Sequence, residues 1–324
     1  MSGCVLLQQY MGDIPVVTLE NEQITVQIMT GLGATIRSIV YKPTGVEFLT
    51  KLKGSDRIPL TKQPGPALHP MFRRFIAGWK DLVPQRAMYG TYILPPERVG
   101  ISSFLNWKCE IEADTEDVVS IRCSADIPEM PVRAEKTFTL RKDSAVLEMR
   151  DKVVNLGTED AYLAFTQHCA FGEPFLSESL KVALPDAKVF KIDQCKDGAN
   201  TVLSDYSEPM ECVTFESGTK RSLYQTGAKF PEDRVFLALY DLADRETDLY
   251  QPALKTGAKL KWDLKDYPYI RYWFQSGEQS YALGIEPSND CFNDILVSAI
   301  KGCCSKLVPG DSWESQISFE AYTK

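Results

Sequence analysis

The chain has 324 residues, 44% hydrophobic and 25% charged, ordinary globular values that exclude a disordered or collagen-like polypeptide. Its 36 Lys and Arg stand against 44 Asp and Glu, and the resulting net charge of −8 argues against a nucleic-acid partner. No run of ~18 apolar residues marks a membrane span, and the opening MSGCVLLQQY lacks the basic flank and apolar length of a signal peptide.

Strand signals dominate the chain from its N-terminus onward. Ile24-Thr25-Val26-Gln27-Ile28 alternates apolar and polar residues with period two. Thr35–Tyr41 is rich in β-branched residues, and Lys42-Pro43-Thr44-Gly45 turns it back into Val46–Leu49 as a hairpin. Phe72, Phe75, Ile76 and Trp79 have helical spacing, but Pro70 and Gly78 limit a helix there to a turn or two. Further strands are expected at 106–112, 118–123, 132–140, 146–155, 162–168, 235–240, 269–275, 281–286 and 315–321, with a second short helix over 292–300. Many strands without a βαβ rhythm predict an all-β fold, a large antiparallel β-sandwich with a few short helices. No repeat or linker divides the chain, so 1–324 reads as one domain.

Nine cysteines are an odd number, and no CxxC or Cys/His zinc spacing occurs. Reduced thiols in a cytoplasmic protein without metal or cofactor are the expectation. Between Lys51 and Arg98 nine basic residues meet only Asp56, Asp81 and Glu97. That segment is either a solvated surface or an anion subsite.

Two histidines exist, His69 and His168, and imidazole is the side chain whose ordinary pKa of ~6.5 serves acid–base work near neutrality. His168 closes the strand pattern Ala164-Phe165-Thr166-Gln167, where a structural role competes with a catalytic one. Glu286 stands in the apolar strand Tyr281-Ala282-Leu283-Gly284-Ile285, where burying a carboxylate is costly unless it is hydrogen-bonded or functional. Pro287 is expected to end that strand and let Glu286 face a cleft, although a salt-bridged structural role is equally open. The GxSxG, P-loop, GxGxxG and HExxH motifs are absent. Most of the aromatics Trp79, Trp107, Phe171, Tyr269, Trp273 and Tyr281 are expected in the core, with one or two free to stack on a sugar.

Five segments in chain order resemble the galactose mutarotase-like superfamily, the aldose 1-epimerases and their relatives. They are Gly31–Ile39 with Gly45–Leu49, Phe75-Ile76-Ala77-Gly78-Trp79-Lys80-Asp81-Leu82-Val83-Pro84, Phe165-Thr166-Gln167-His168, Tyr281–Pro287 and Leu307-Val308-Pro309-Gly310-Asp311-Ser312. The resemblance implies a supersandwich that holds a sugar on a concave sheet face. It also implies an isomerase that exchanges α and β anomers, with Glu286 as the general base and His168, as imidazolium, the general acid. His69, Arg73, Arg74, Trp79, Trp273 and Asp290 are the expected substrate contacts. Arg73, Arg74, Lys80 and Arg86 would meet an anionic group if the sugar carries one. His168 is followed by Cys169-Ala170-Phe171-Gly172 rather than the double-His, aromatic-rich pattern of the galactose mutarotases, and their Asn-Arg segment is missing. Galactose as the substrate is therefore not implied.

Two alternatives stand beside this reading. One is a carbohydrate-binding or regulatory sandwich without turnover. The other is a sugar lyase or hydrolase, with Glu173 or Asp290 as a second carboxylate. For the epimerase, reference values place the limbs of a bell-shaped pH profile near ~4.3 and ~6.5, unless Asp290 or Glu173 raises the histidine.

Overall fold

The computed structural model describes residues 3–12, 14–51, 78–95, 98–192, 208–278 and 280–324. His69, Arg73, Arg74 and the expected helical turn ahead of Trp79 lie outside these residues, as does much of the basic segment.

Two antiparallel sheets carry the architecture, as expected of a chain in which strand alternation dominates. The larger has 13 strands, with the spatial path Val5–Met11, Ile14–Glu20, Ile24–Met29, Thr35–Tyr41, Trp79–Tyr89, Ala161–Phe171, Ala282–Ser288, Tyr269–Ser276, Asp233–Tyr240 and Lys188–Lys191. The second has 8 strands, running Lys181–Ala183, Glu246–Gln251, Thr256–Trp262, Ser312–Thr323, Val146–Asn155, Val132–Arg141, Val118–Ile127 and Lys108–Asp114. An apolar cluster that includes Ile36, Phe48, Trp79, Phe138, Leu147, Phe171 and Phe319 fills the space between them. Trp79 packs edge-on against Phe319 there.

The short helix is Ile295–Lys301. Asp294 caps it by accepting from the amides of Leu296 and Val297, and Gly302 closes it in the left-handed region at φ 67°. No helix of the described residues is long and apolar enough to cross a membrane.

Two sequence expectations need correction, and one hairpin is new. Trp79 opens an 11-residue strand rather than ending a helical turn, and that strand continues through Pro84. Pro287 does not end its strand, which runs to Ser288 and pairs Pro287 with Ile270. Glu246–Gln251 and Thr256–Trp262 pair as a hairpin that was not anticipated, because Lys and Asp at their outward positions dilute the apolar alternation.

Candidate active site

Four adjacent strands of the larger sheet bring a row of ionisable side chains to one level. Lys80 on Trp79–Tyr89 pairs with His168 on Ala161–Phe171. Arg271 on Tyr269–Ser276 pairs with Glu286 on Ala282–Ser288. Between these two couples the ladder is held by Thr166↔Ser288 and Cys169↔Ile285, a register that sets His168 opposite Glu286 and Gln167 opposite Pro287. Pro287 has no N–H to give, so the pairing lapses where the two candidate catalytic residues face each other. Residues opposite one another in a ladder share a face. Lys80, His168, Glu286 and Arg271 therefore project together, away from the second sheet.

The neighbours in sequence point the other way. Trp79, Asp81 and Gln167 turn toward the second sheet, where Trp79 Nε1 donates to Gln167 Oε1 at 2.8 Å. Trp79 is thus a core residue and not a wall of the site. Behind the row, Lys136 Nζ donates to Asp81 at 2.7 Å and 2.8 Å, and it also reaches Gln167 Oε1 at 3.1 Å. Gln167 Nε2 donates to Asp151 Oδ2 at 2.6 Å. This buried network ties both strands of the Lys80–His168 couple to the second sheet.

His168 Nε2 lies 3.5 Å from Glu286 Oε1. Both side chains are buried, His168 with 7% and Glu286 with 3% of its surface exposed. Ala170, Gly284 and Trp273 make the next row of the same face, through the pairs Ala170↔Gly284 and Trp273↔Gly284. The Trp273 ring stands 6.0 Å from the His168 ring, and two small residues lie beside it. A Cβ at Gly284 would come within 2.6 Å of Glu286 Oε1, so the missing side chain there leaves the carboxylate its place.

Electrostatics follow from burial and from the order of charges in the row. Burial, opposed by Arg271 and Lys80, pushes the Glu286 carboxyl up to about 8. Burial, opposed by Glu286, pulls the Lys80 ammonium down to about 7. Burial and the charge of Lys80 drive His168 down to about 3. The expectation that Asp290 or Glu173 raises the histidine is overturned. Asp290 Oδ2 accepts from Arg271 Nη2 at 2.7 Å, and its Oδ1 accepts from Ser298 Oγ at 2.5 Å. Glu173 is exposed and paired with Lys229 at 2.7 Å. Asp290 accordingly anchors Arg271 and, with both oxygens engaged, holds the row from behind.

Sequence reasoning singled out Glu286 and His168 but missed Arg271, and it gave Lys80 only the part of a contact to an anionic group on the sugar. A usable signal was present for Arg271, a lone cation inside a strand otherwise made of apolar, aromatic and uncharged polar residues. Among the described residues no three His, Cys, Asp or Glu side chains come together to hold a metal ion. A cleft of about 900 Å³ lies on the outer face of the second sheet. It is lined by surface charges such as Arg141, Glu148, Lys152 and Glu314, of which Lys152 and Glu314 pair at 2.8 Å. None of the row reaches it.

A family model described as a domain of unknown function (DUF4432) matches residues 108–321. The chain belongs to this family. No curated protein matches it in sequence. Among solved structures, a galactose mutarotase-like protein from Clostridium acetobutylicum is similar over 100% of both chains, at TM-score 0.70 and 15% identity. A galactose mutarotase related enzyme from Lactobacillus acidophilus is similar over 95% of this chain and 97% of its own, at TM-score 0.64 and 17% identity. A galactose mutarotase-like protein from Lactobacillus casei matches over 95% and 100%, at TM-score 0.59 and 14% identity. The fold is galactose mutarotase-like.

Proposed function

We propose that the protein interconverts the α and β anomers of an aldose by acid–base ring opening at the Glu286–His168 site. The observation that carries this reading is the buried contact of 3.5 Å between His168 Nε2 and Glu286 Oε1. Two proton-handling groups on one sheet face suit a substrate whose anomeric hydroxyl and ring oxygen hang on the same carbon. Glu286 takes the hydroxyl proton as the C1–O5 bond opens, and a donor on the same face protonates the ring oxygen. Rotation about C1–C2 and closure by the reverse transfers give the other anomer. Such acid–base help supplies ~10²–10⁴-fold per group. Trp273 and the small residues Ala170 and Gly284 offer a flat apolar side and space for a sugar ring. The mutarotase names of the structural relatives support the same assignment.

Hydrolysis is less well supported, because it needs a second available carboxyl group, and Asp290 has both oxygens engaged. The test is NMR exchange spectroscopy on a panel of reducing sugars, neutral and anionic. Anomer exchange above the buffer rate is expected for at least one of them. Sugar-induced shifts without exchange would instead identify a binding module.

A further inference from the structure

The anomer-exchange reading requires a proton donor at the ring oxygen, and two bases compete for that proton in the row. Lys80 and His168 are cross-strand partners on one face, both buried, with 3% and 7% of their surfaces exposed. Arg271 is matched by Asp290 at 2.7 Å, and Glu286 stands opposite His168 in the same row. Cross-strand neighbours in a buried row repel when both are charged, so protonating one of the pair opposes protonating the other. An amine binds a proton ~4 units more strongly than an imidazole in water. The proton therefore goes to the lysine.

We propose that Lys80 is the catalytic acid of this site, its ammonium protonating the ring oxygen, while His168 serves as a neutral hydrogen-bonding imidazole beside Glu286. The proposal rests on the anomer-exchange reading and specifies its donor. As the C1–O5 bond breaks, its electron pair goes to O5 and takes a proton from Lys80. The anomeric hydroxyl gives its proton to Glu286, leaving the free aldehyde. On closure the O5 hydroxyl attacks C1 and returns its proton to the Lys80 amine, and Glu286 hands its proton back to O1.

The surroundings of Lys80 agree with this role. On its own strand Arg86 is turned to the carbonyl of Asn293 at 3.0 Å and feels Asp290 and Asp294. Among the described residues, the strands on one side bring His168, Glu286 and Arg271 with Asp290, and Thr35–Tyr41 on the other side carries Arg37. Behind the strand, Asp81, Asp151 and Lys136 compensate one another within the core network. The buried Cys169 thiol is pushed well above its ordinary range by burial and by Glu286, so it takes no part near neutrality. Lys80 at about 7 lies close to the neutral pH at which a general acid works best, whereas His168 at about 3 does not.

Two measurements test the proposal. In the sugar-free protein, ¹⁵N shifts of the His168 imidazole, separated from those of His69 by the His168→Gln variant, should report a neutral ring at pH 7. An imidazolium there would overturn the assignment. In turnover, wild-type kcat/KM should be bell-shaped with limbs near 7 and 8. Below the first both groups hold their protons and the base is lost; above the second both have released them and the donor is lost. Lys80→Arg keeps the charge without a usable proton, so kcat should fall ~10²-fold and the alkaline limb should vanish. Lys80→Met, which places no longer side chain in the row, should show the same loss. His168→Gln should keep both limbs. An active wild type whose alkaline limb survives Lys80→Arg and disappears in His168→Gln would return the acid role to the histidine and leave the anomer-exchange reading standing. A wild type that exchanges no sugar would remove both.

Discussion

In the proposed reaction Glu286 acts through the position of one oxygen, and an absent side chain on the same strand leaves room for it. Glu286→Gln keeps the shape of the side chain but removes the proton acceptor. Anomer exchange is expected to fall ~10²-fold or more while sugar binding stays within a few-fold, measured as kcat and Kd in parallel. Gly284→Ala is a subtler probe. Its Cβ would lie 2.6 Å from Glu286 Oε1, and the carboxylate end is free to move where backbone would not be. Thermal stability should stay near wild type while turnover drops at least ~10-fold, since a displacement of about 1 Å at a reacting group is that expensive. Unchanged turnover in a folded Gly284→Ala protein would show that the carboxylate does not need its present place.

At the level of elements, the site exists because two strands fail to pair fully and two sheets are tied together behind them. Pro287 leaves the ladder open opposite Gln167, and the neighbouring Glu286 and His168 occupy the gap. The Lys136–Asp81–Asp151 network then fixes the strands from the core side, with Lys136 Nζ 3.5 Å from Asp151 Oδ1. Two carboxylates share one ammonium there, and burial pushes Asp151 up to about 7. Lys136→Met would leave Asp81 and Asp151 without a counter-ion, at an expected cost of about 3–5 kcal/mol in a denaturant titration. A loss below ~1 kcal/mol would mean that the network only fills space.

For the whole molecule, buried ionisable groups set a pH dependence of stability whose sign follows from their shifts. Glu286 at about 8 and Asp151 at about 7 stay protonated in the fold at pH values where the unfolded chain has ionised. The unfolded state then binds fewer protons, and both groups lower stability as pH rises from about 4 toward 7 and 8. His168, held neutral down to about 3, works in the opposite sense below ~6.5, and Lys80 adds stability only as pH rises above about 7. The two acids outweigh the two bases between pH 5 and pH 8. Calorimetry should therefore give a higher Tm at pH 5 than at pH 8, with a shallower slope in Glu286→Gln.

Much of this was legible in the chain itself, because local alternation is a local property. The strands Val146–Asn155 and Thr35–Tyr41 appear with the bounds that their β-branched, period-two sequences predict. The all-β class followed from residue types and order, whereas the choice of Glu286 and His168 came from the resemblance to the galactose mutarotase-like superfamily. Tertiary structure decided the rest. Which way Trp79 and Lys80 point depends on strand parity, and Pro84 concealed the strand that sets it. That Asp290 serves Arg271, and not a substrate or the histidine, depends on contacts among residues 271, 290 and 298. The protonation of the row is likewise a property of four strands laid side by side. Charge compensation acts through space and burial, and neither is written in the order of residues along one strand.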